Sequence, residues 1–236
     1  MHSPKYLESF KSALRKIDTA NIDLFLFAGD MIYKGKFDEM NEIIAAVDDS
    51  GFQFPVYSVF GNEEYDDLYD KLIEIGKGKI IYLNDELVSI ERKGHSIGII
   101  GTKGSLAQPT WWQDKNIPNV REIYSNRINK VGELLKLLEY DINILLFHYA
   151  PTYLTVIGEP KRAHPQMGTR AYEKVILNKE IKIDVVFHGH AHKGRKFTLL
   201  KNRIPIYNVA FPLRQKITIV DLPRPPSRGS LLSYLK

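Results

Sequence analysis

Three of the seven histidines of this chain fall within the short stretch Phe187-His188-Gly189-His190-Ala191-His192, directly after the run Ile183-Asp184-Val185-Val186. Two imidazoles spaced two apart on an extended segment present separate ring nitrogens from one piece of backbone, which suits a metal site. Asp30 follows Gly29, Asn62 follows Gly61, and His148 follows Phe147, each at the end of another apolar run. A carboxylate, an amide oxygen and imidazoles form a set of hard and borderline donors appropriate to Mn, Fe, Zn or Ni. The chain has no cysteine, so disulfides and thiolate ligands are excluded and any transition metal must rely on nitrogen and oxygen. Each residue alone also has an ordinary reading. Gly-Asp and Gly-Asn are turn dipeptides, and a lone histidine after a strand is commonly a hydrogen-bonded core residue. Only the ordered set is specific.

Short apolar runs alternate with amphipathic stretches, the pattern of a layered α/β domain. Leu7, Phe10, Leu14 and Ile17 form one stripe, predicting a helix that opens at Ser3-Pro4 and continues to about Ala20. Strand 24–28 then leads into Gly29-Asp30, helix 37–50 follows, and strand 55–60 leads into Gly61-Asn62-Glu63-Glu64. Helix 65–75 precedes β-rich runs at 80–83, 87–92 and 96–100, the last two joined by the turn Lys93-Gly94. A loop carries Pro109, Trp111, Trp112 and Pro118 before the longest predicted helix, 120–140. Strand 144–147 runs into His148, and a short helix, 169–178, leads to the strand ending at His188. Runs 197–200, 205–209 and 216–220 read as consecutive antiparallel strands. Asp30, Asn62, His148 and the His190/His192 pair therefore all fall just beyond strand ends, where α/β proteins gather their sites.

With 236 residues, 44% hydrophobic and 26% charged, the chain suits one domain with a buried core, here residues 1–222. Residues 223–236 read as a linker and a small apolar patch on a mobile terminus. The net charge of +5 is spread along the length, as on a solvated surface that favours anionic substrates. Nucleic acid is the less favoured partner. The first residues lack a signal-peptide pattern, and no apolar run approaches the roughly 20 residues that span a bilayer, so a soluble cytoplasmic protein with no membrane partner is expected.

The ordered blocks Gly29-Asp30, Gly61-Asn62-Glu63-Glu64, His148 and Gly189-His190-Ala191-His192 resemble those of the calcineurin-like metallophosphoesterases, written D-x-H, G-D, G-N-H-[DE], a lone His and G-H-x-H. The likeness extends to about Leu222, and Met167-Gly168-Thr169-Arg170-Ala171 is similar to a stretch of small prokaryotic members. The resemblance implies an α/β fold, a four-layer α-β-β-α sandwich of two mixed sheets flanked by helices. It implies two divalent metal ions bridged by Asp30, one completed by Asn62, His148 and His190 and the other by His2 and His192. Asp30, Asn62, Glu63 and His148 would carry catalysis, hydrolysing phosphate mono- or diesters of small molecules by a metal-activated hydroxide. His164 and Arg170 would line the substrate phosphate, while His188 reads as an inward-facing residue at a strand end.

Two departures qualify this picture. The family's first block needs an aspartate two residues before its histidine and an apolar strand before that, whereas only Met1 precedes His2. The expectation is a chain that starts inside the block, with its first strand missing, the His2/His192 metal weak or absent, and dimerisation an open consequence. The alternative is that His2 belongs to a frayed terminus. The second departure is Glu63 in place of a histidine. With an ordinary pKa of about 4.3, a glutamate next to cations is pushed towards ionisation and not towards an acid role. A catalytically impaired phosphate- or nucleotide-binding relative and a metal-dependent nuclease are the competing readings.

Overall fold

The computed structural model describes residues 1–223 apart from Phe54 and Lys179. Helices α1 (Leu7–Leu14), α2 (Glu39–Asp49) and α3 (Tyr69–Ile75) alternate with strands β1 (Leu26–Phe27), β2 (Val56–Ser58) and β3 (Ile80–Tyr82). These strands form a three-stranded sheet in the order β1-β2-β3. Strands β4 (Glu86–Arg92) and β5 (His95–Thr102) follow, then helices α4 (Trp111–Asn116) and α5 (Val120–Leu135) and strand β6 (Ile142–Phe147). Helix α6 (Ala171–Ile176), strands β7 (Val185–His188), β8 (Phe197–Leu200) and β9 (Ile204–Asn208), and helix α7 (Phe211–Arg214) complete the chain. The second sheet has six strands in the order β4-β5-β6-β7-β9-β8.

Side-chain alternation explains the layering. On β6 the side chains of Ile142, Ile144 and Leu146 enter a core shared with Tyr57, Val59 and Leu83 of the smaller sheet. Leu145 and Phe147 point the other way, into a core with Val131, Leu135, Tyr172 and Ile176 of α5 and α6. A third core packs Phe10, Leu14, Met40, Ile43 and Leu72 of α1, α2 and α3 against Phe27, Val56 and Ile80. Three cores between four layers give the expected α-β-β-α sandwich.

Several expectations are corrected. The smaller sheet is wholly parallel, and only the larger one is mixed. Helix α1 begins late, at Leu7, because Met1, His2 and Ser3 are drawn into backbone bonds with Asp30 and Met31, and it ends at Leu14 and not near Ala20. The loop holding Trp111 and Trp112 contains α4, whose start is fixed by a reciprocal capping box between Thr110 and Gln113. Residues 216–220 are no strand, since among the described residues the hydrogen-bonding partner that a strand requires is missing beside them. The tail from Arg224 on lies outside the described residues.

Leu146 is fully buried between the sheets. Leu146→Ala should cost about 2–5 kcal/mol in urea unfolding. A loss below about 1 kcal/mol would contradict the inter-sheet core described here.

Candidate metal centre

Four strand ends meet at one edge of the sandwich, as the spacing of Asp30, Asn62, His148 and His190 implied. Asp30 sits one turn beyond β1, Asn62 beyond β2, His148 directly after β6, and His190 and His192 beyond β7. The corner is tight. A Cβ on Gly61 would collide with Asp30 Oδ1, and one on Gly29 would lie 2.6 Å from His148 Nδ1, so glycine is needed at both positions.

Backbone conformation at the site is unusual. His2, Asp30 and His190 have φ of 65°, 53° and 63°, in the left-handed region that non-glycine residues rarely occupy. Such a residue costs on the order of 1–2 kcal/mol, and strain of this kind concentrates at functional sites.

Two groups of donor atoms surround the Asp30 carboxylate, Asp30 with His148 and His190 and Asp30 with His2 and His192, all donors within a group lying within 4.8 Å of one another. His2 Nε2 is 3.1 Å from Asp30 Oδ2, and the His2 and His192 rings are 5.0 Å apart. His2 and Ser3 bond through their backbone N–H groups to Asp30 and Met31, so the frayed-terminus alternative does not hold.

Hydrogen-bond chemistry decides what the first group is for. His148 Nδ1 lies 2.9 Å from the Ala28 carbonyl, an acceptor, and must therefore be the protonated nitrogen. Its Nε2 is then a bare lone pair. That atom faces Asn62 Oδ1 at 3.0 Å and Asp30 Oδ2 at 3.5 Å, and both are acceptors. The orientation of Asn62 follows from its Nδ2, which donates to Glu63 Oε1 at 3.0 Å. His190 repeats the logic: its Nε2 donates to the Gln166 carbonyl at 3.3 Å, leaving Nδ1 unprotonated. Burial pushes the His148 pKa down to about 3 and also lowers that of His190, so second protons on these rings are disfavoured. Lone pairs thus converge with no proton between them, an arrangement that a cation satisfies. The donor set fits a divalent ion.

Asp30 supplies the negative charge. Burial would raise its pKa, but positive charge on His148 whenever that ring is protonated, the hydrogen bond from His2 and charge on His190 pull the carboxyl well below the usual range. The Glu63 backbone N–H also donates to Asp30 Oδ1 at 2.9 Å. Burial lowers His192 to about 4.

Sequence reasoning gave no role to Glu64. Its buried carboxylate accepts from the backbone N–H groups of Asp30, Met31, Ile32 and Gly61 at 2.8, 2.7, 3.2 and 2.7 Å. It thereby ties the loop after β1 to the loop after β2. Burial, with the Asp30 charge, raises its pKa against the pull of those amides. The signal in the sequence was a second acid in Gly61-Asn62-Glu63-Glu64, too close to a turn motif to be separated from it.

Glu63 does not extend into the donor cluster. Its Oε2 accepts from the Lys34 backbone N–H at 2.8 Å, while Oε1 holds Asn62. His164 donates through Nε2 to the Glu159 carbonyl at 3.1 Å, and the exposed Arg170 pairs with Glu173 at 3.2 Å. His188 is fully buried and satisfied, with Nδ1 on the Gly189 carbonyl at 2.8 Å and Nε2 accepting from Thr155 Oγ1 at 2.7 Å. Its reading as an inward structural residue stands.

Residues 1–194 match the family model of the calcineurin-like phosphoesterases, and the chain belongs to that family. Among solved structures, the phosphopantetheinyl hydrolase of Mycobacterium tuberculosis is similar over 95% of this chain and 94% of its own, at 14% identity and a TM-score of 0.65. A hypothetical protein of Thermus thermophilus is similar at 14% identity and a TM-score of 0.53, over 89% of this chain and 73% of its own. The sulfate thiohydrolase SoxB of Thermus thermophilus, in complex with glycerol, is similar over 93% of this chain and 43% of its own, at 11% identity and a TM-score of 0.53. No curated protein sequence matches the chain. At these identities the structural likeness concerns the fold.

His188 gives the site region a measurable acid response. Burial lowers its pKa from 6.5 to about 4, so between those values the unfolded chain binds a proton that the folded chain does not. Its contribution makes stability fall as pH drops through that window, by up to about 1.4 kcal/mol per pH unit. His188→Gln, which keeps an acceptor for Thr155, should flatten the slope of urea stability against pH between 4.5 and 6. An unchanged slope would refute the assignment.

Proposed function

We propose that this metal-dependent phosphoester hydrolase uses two divalent ions and acts on small phosphate mono- or diesters. The observation that carries the reading is the convergence of unprotonated donors from Asp30, Asn62, His148 and His190 on one buried point, beside a second group made by Asp30, His2 and His192. Ions held there would supply positive charge for phosphoryl oxygens and lower the pKa of a bound water. Manganese is our preferred ion, on the nitrogen and oxygen character of the donors. A cytoplasmic setting is part of the same proposal and rests on the cysteine-free composition.

The remaining roles belong to the chain itself. Asp30 is the shared carboxylate, and its left-handed backbone aims it between both groups of imidazoles. Ala28 and Gln166 fix the tautomers of His148 and His190 through their carbonyls, leaving one nitrogen of each ring free to act as a ligand. Glu63 acts as a positioning residue, since its carboxylate holds the Asn62 amide with Oδ1 turned to the cluster. That assignment replaces the leaving-group role carried by the family's histidine and supports slow turnover. His164 and Arg170 remain candidates for the substrate phosphate, Arg170 once it releases Glu173.

The two donor groups are unequal, because Asn62 joins only the one containing His148. Calorimetric titration with Mn(II) should therefore resolve a tight and a weak step, and two steps of equal affinity would count against the assignment. With Mn(II) and bis-p-nitrophenyl phosphate, slow hydrolysis is expected, abolished by Asp30→Asn. Glu63→Ala, which removes the acceptor for the Asn62 amide, should weaken the tight step by about 10–100-fold, the usual cost of losing a partner that orients a ligand. Tight metal binding with no hydrolysis of mono- or diesters would favour the impaired phosphate-binding relative.

A further inference from the structure

Lys103 follows the last residue of β5 as His148 follows the last residue of β6, and these strands are parallel neighbours with Thr102 opposite Phe147. Ile97 and Ile99 of β5, like Ile142, Ile144 and Leu146 of β6, enter the core between the sheets. Two-residue alternation carries that face of β5 to Gly101, where a Cβ would meet Leu83 and Val59, and on to Lys103, just as it carries the same face of β6 to His148. Lys103 and His148 therefore project side by side from strands about 4.8 Å apart. Their proximity is also electrostatic: burial is the main cause of the lowered His148 pKa, and the charge of Lys103 is a lesser one. Lys103 is thus a cation on the flank of the donor cluster formed by His148 and Asn62.

The two ends of this residue are held very differently. Its backbone is pinned on both sides: Thr102 Oγ1 donates to Asp85, the Gly104 N–H donates to Thr102 Oγ1 at 2.9 Å, and Arg127 of α5 donates to Asp85 Oδ2 at 3.0 Å and to the Gly104 carbonyl at 2.9 Å. The ammonium group, by contrast, donates to Asp66 Oδ1 at 2.8 Å and to the Tyr69 hydroxyl at 3.0 Å. The Lys103 side chain is 12% exposed, whereas that of Asp66 is 70% exposed. A pair whose carboxylate is already solvated is weak, and Asp66 gives up its cation at little cost. A flexible four-carbon stem on a fixed backbone then lets the ammonium swing to a stronger anion. Arg170, the other cation considered for a phosphate, lies exposed on Glu173 and lacks such a setting.

We propose that Lys103 leaves Asp66 to grip the phosphate of the substrate on the His148 flank and thereby directs the site to phosphate monoesters in preference to diesters, a conclusion that rests on the phosphoester-hydrolase reading above. A monoester carries about −1.5 to −2 charges at neutral pH and a diester only one, so an added ammonium group stabilises the monoester more. The non-bridging oxygens of a monoester also offer a free acceptor where a diester carries its second substituent. Asp66 is the resting partner that keeps the ammonium ordered between turnovers, and Arg127 and Asp85 keep the residue in place.

Calorimetric titration of methyl phosphate and of dimethyl phosphate into the Mn(II)-loaded chain, at about pH 8 where the monoester is a dianion, tests this. The unaltered protein should bind methyl phosphate at least about tenfold more tightly than dimethyl phosphate, as a charge-assisted contact made to one ligand only would give. Lys103→Met, which keeps the apolar stem, should abolish the preference and leave both Mn(II) steps in place, and Lys103→Arg should retain it. Asp66→Asn separates a phosphate ligand from a mere tie between the loops after β2 and β5. The released lysine should then hold methyl phosphate at least as tightly as before, whereas a tie predicts the same loss as in Lys103→Met. No preference in the unaltered protein, a preference undiminished in Lys103→Met, or an equal loss in Asp66→Asn overturns the inference. Failure of the activity reads differently: a Lys103-dependent preference with no hydrolysis of p-nitrophenyl phosphate or bis-p-nitrophenyl phosphate refutes the proposed hydrolase and upholds Lys103 as the phosphate ligand.

Discussion

The carboxylate of Asp30 is the constraint on which the rest of the site depends. It is buried beneath both imidazole groups and held in a left-handed turn that lets its two oxygens face different partners. That conformation is unfavourable for aspartate on its own, and three features of the surrounding chain enforce it. Gly29 and Gly61 permit the close approach of two loops, and the Glu64 carboxylate gathers the backbone N–H groups of Asp30 and of the two residues after it. Loss of any of these would release the strain and move the carboxylate.

The sandwich then does what a single loop cannot. The parallel strands β1 and β2 deliver Asp30 and Asn62 from the smaller sheet, and β6 and β7 deliver His148, His190 and His192 from the larger one. The site is therefore built across the seam between sheets, and the core of Ile144, Leu146, Tyr57 and Val59 sets the distance between its halves. Burial disfavours the charged forms of His148 and His190, which preserves their lone pairs, and the carbonyls of Ala28 and Gln166 choose which nitrogen stays bare.

Much of this was legible in the sequence. Asp30, Asn62, His148 and His190 each follow an apolar run, and runs long enough to be buried strands end at the same edge of a layered sheet. The apolar run 144–147 announced β6, which in the structure begins two residues earlier at Ile142; because both of its faces are buried, the run is continuous and only the packing separates the two faces. What escaped depended on contacts distant in sequence. Residues 216–220 have the composition of a strand, but a strand exists only when its neighbour is present. The beginning of α1 was misplaced because Met1, His2 and Ser3 answer to Asp30 and Met31, nearly thirty residues away. Glu64 was missed since four backbone amides converging on one carboxylate leave no trace in residue spacing, and Glu63 was weighed as an acid because its bond to the Lys34 amide is likewise tertiary.

The claim most exposed to test is that the facing acceptors of His148, Asn62 and Asp30 enclose a cation instead of a proton. Anomalous diffraction from crystals grown with Mn(II) at neutral pH addresses it directly. The account predicts a strong peak at about 2.0–2.3 Å from His148 Nε2, Asp30, Asn62 Oδ1 and His190 Nδ1, the distances usual for nitrogen and oxygen ligands. A protein that binds Mn(II) elsewhere, or shows no peak there while the His148 and Asn62 contact persists at 3.0 Å, would contradict it.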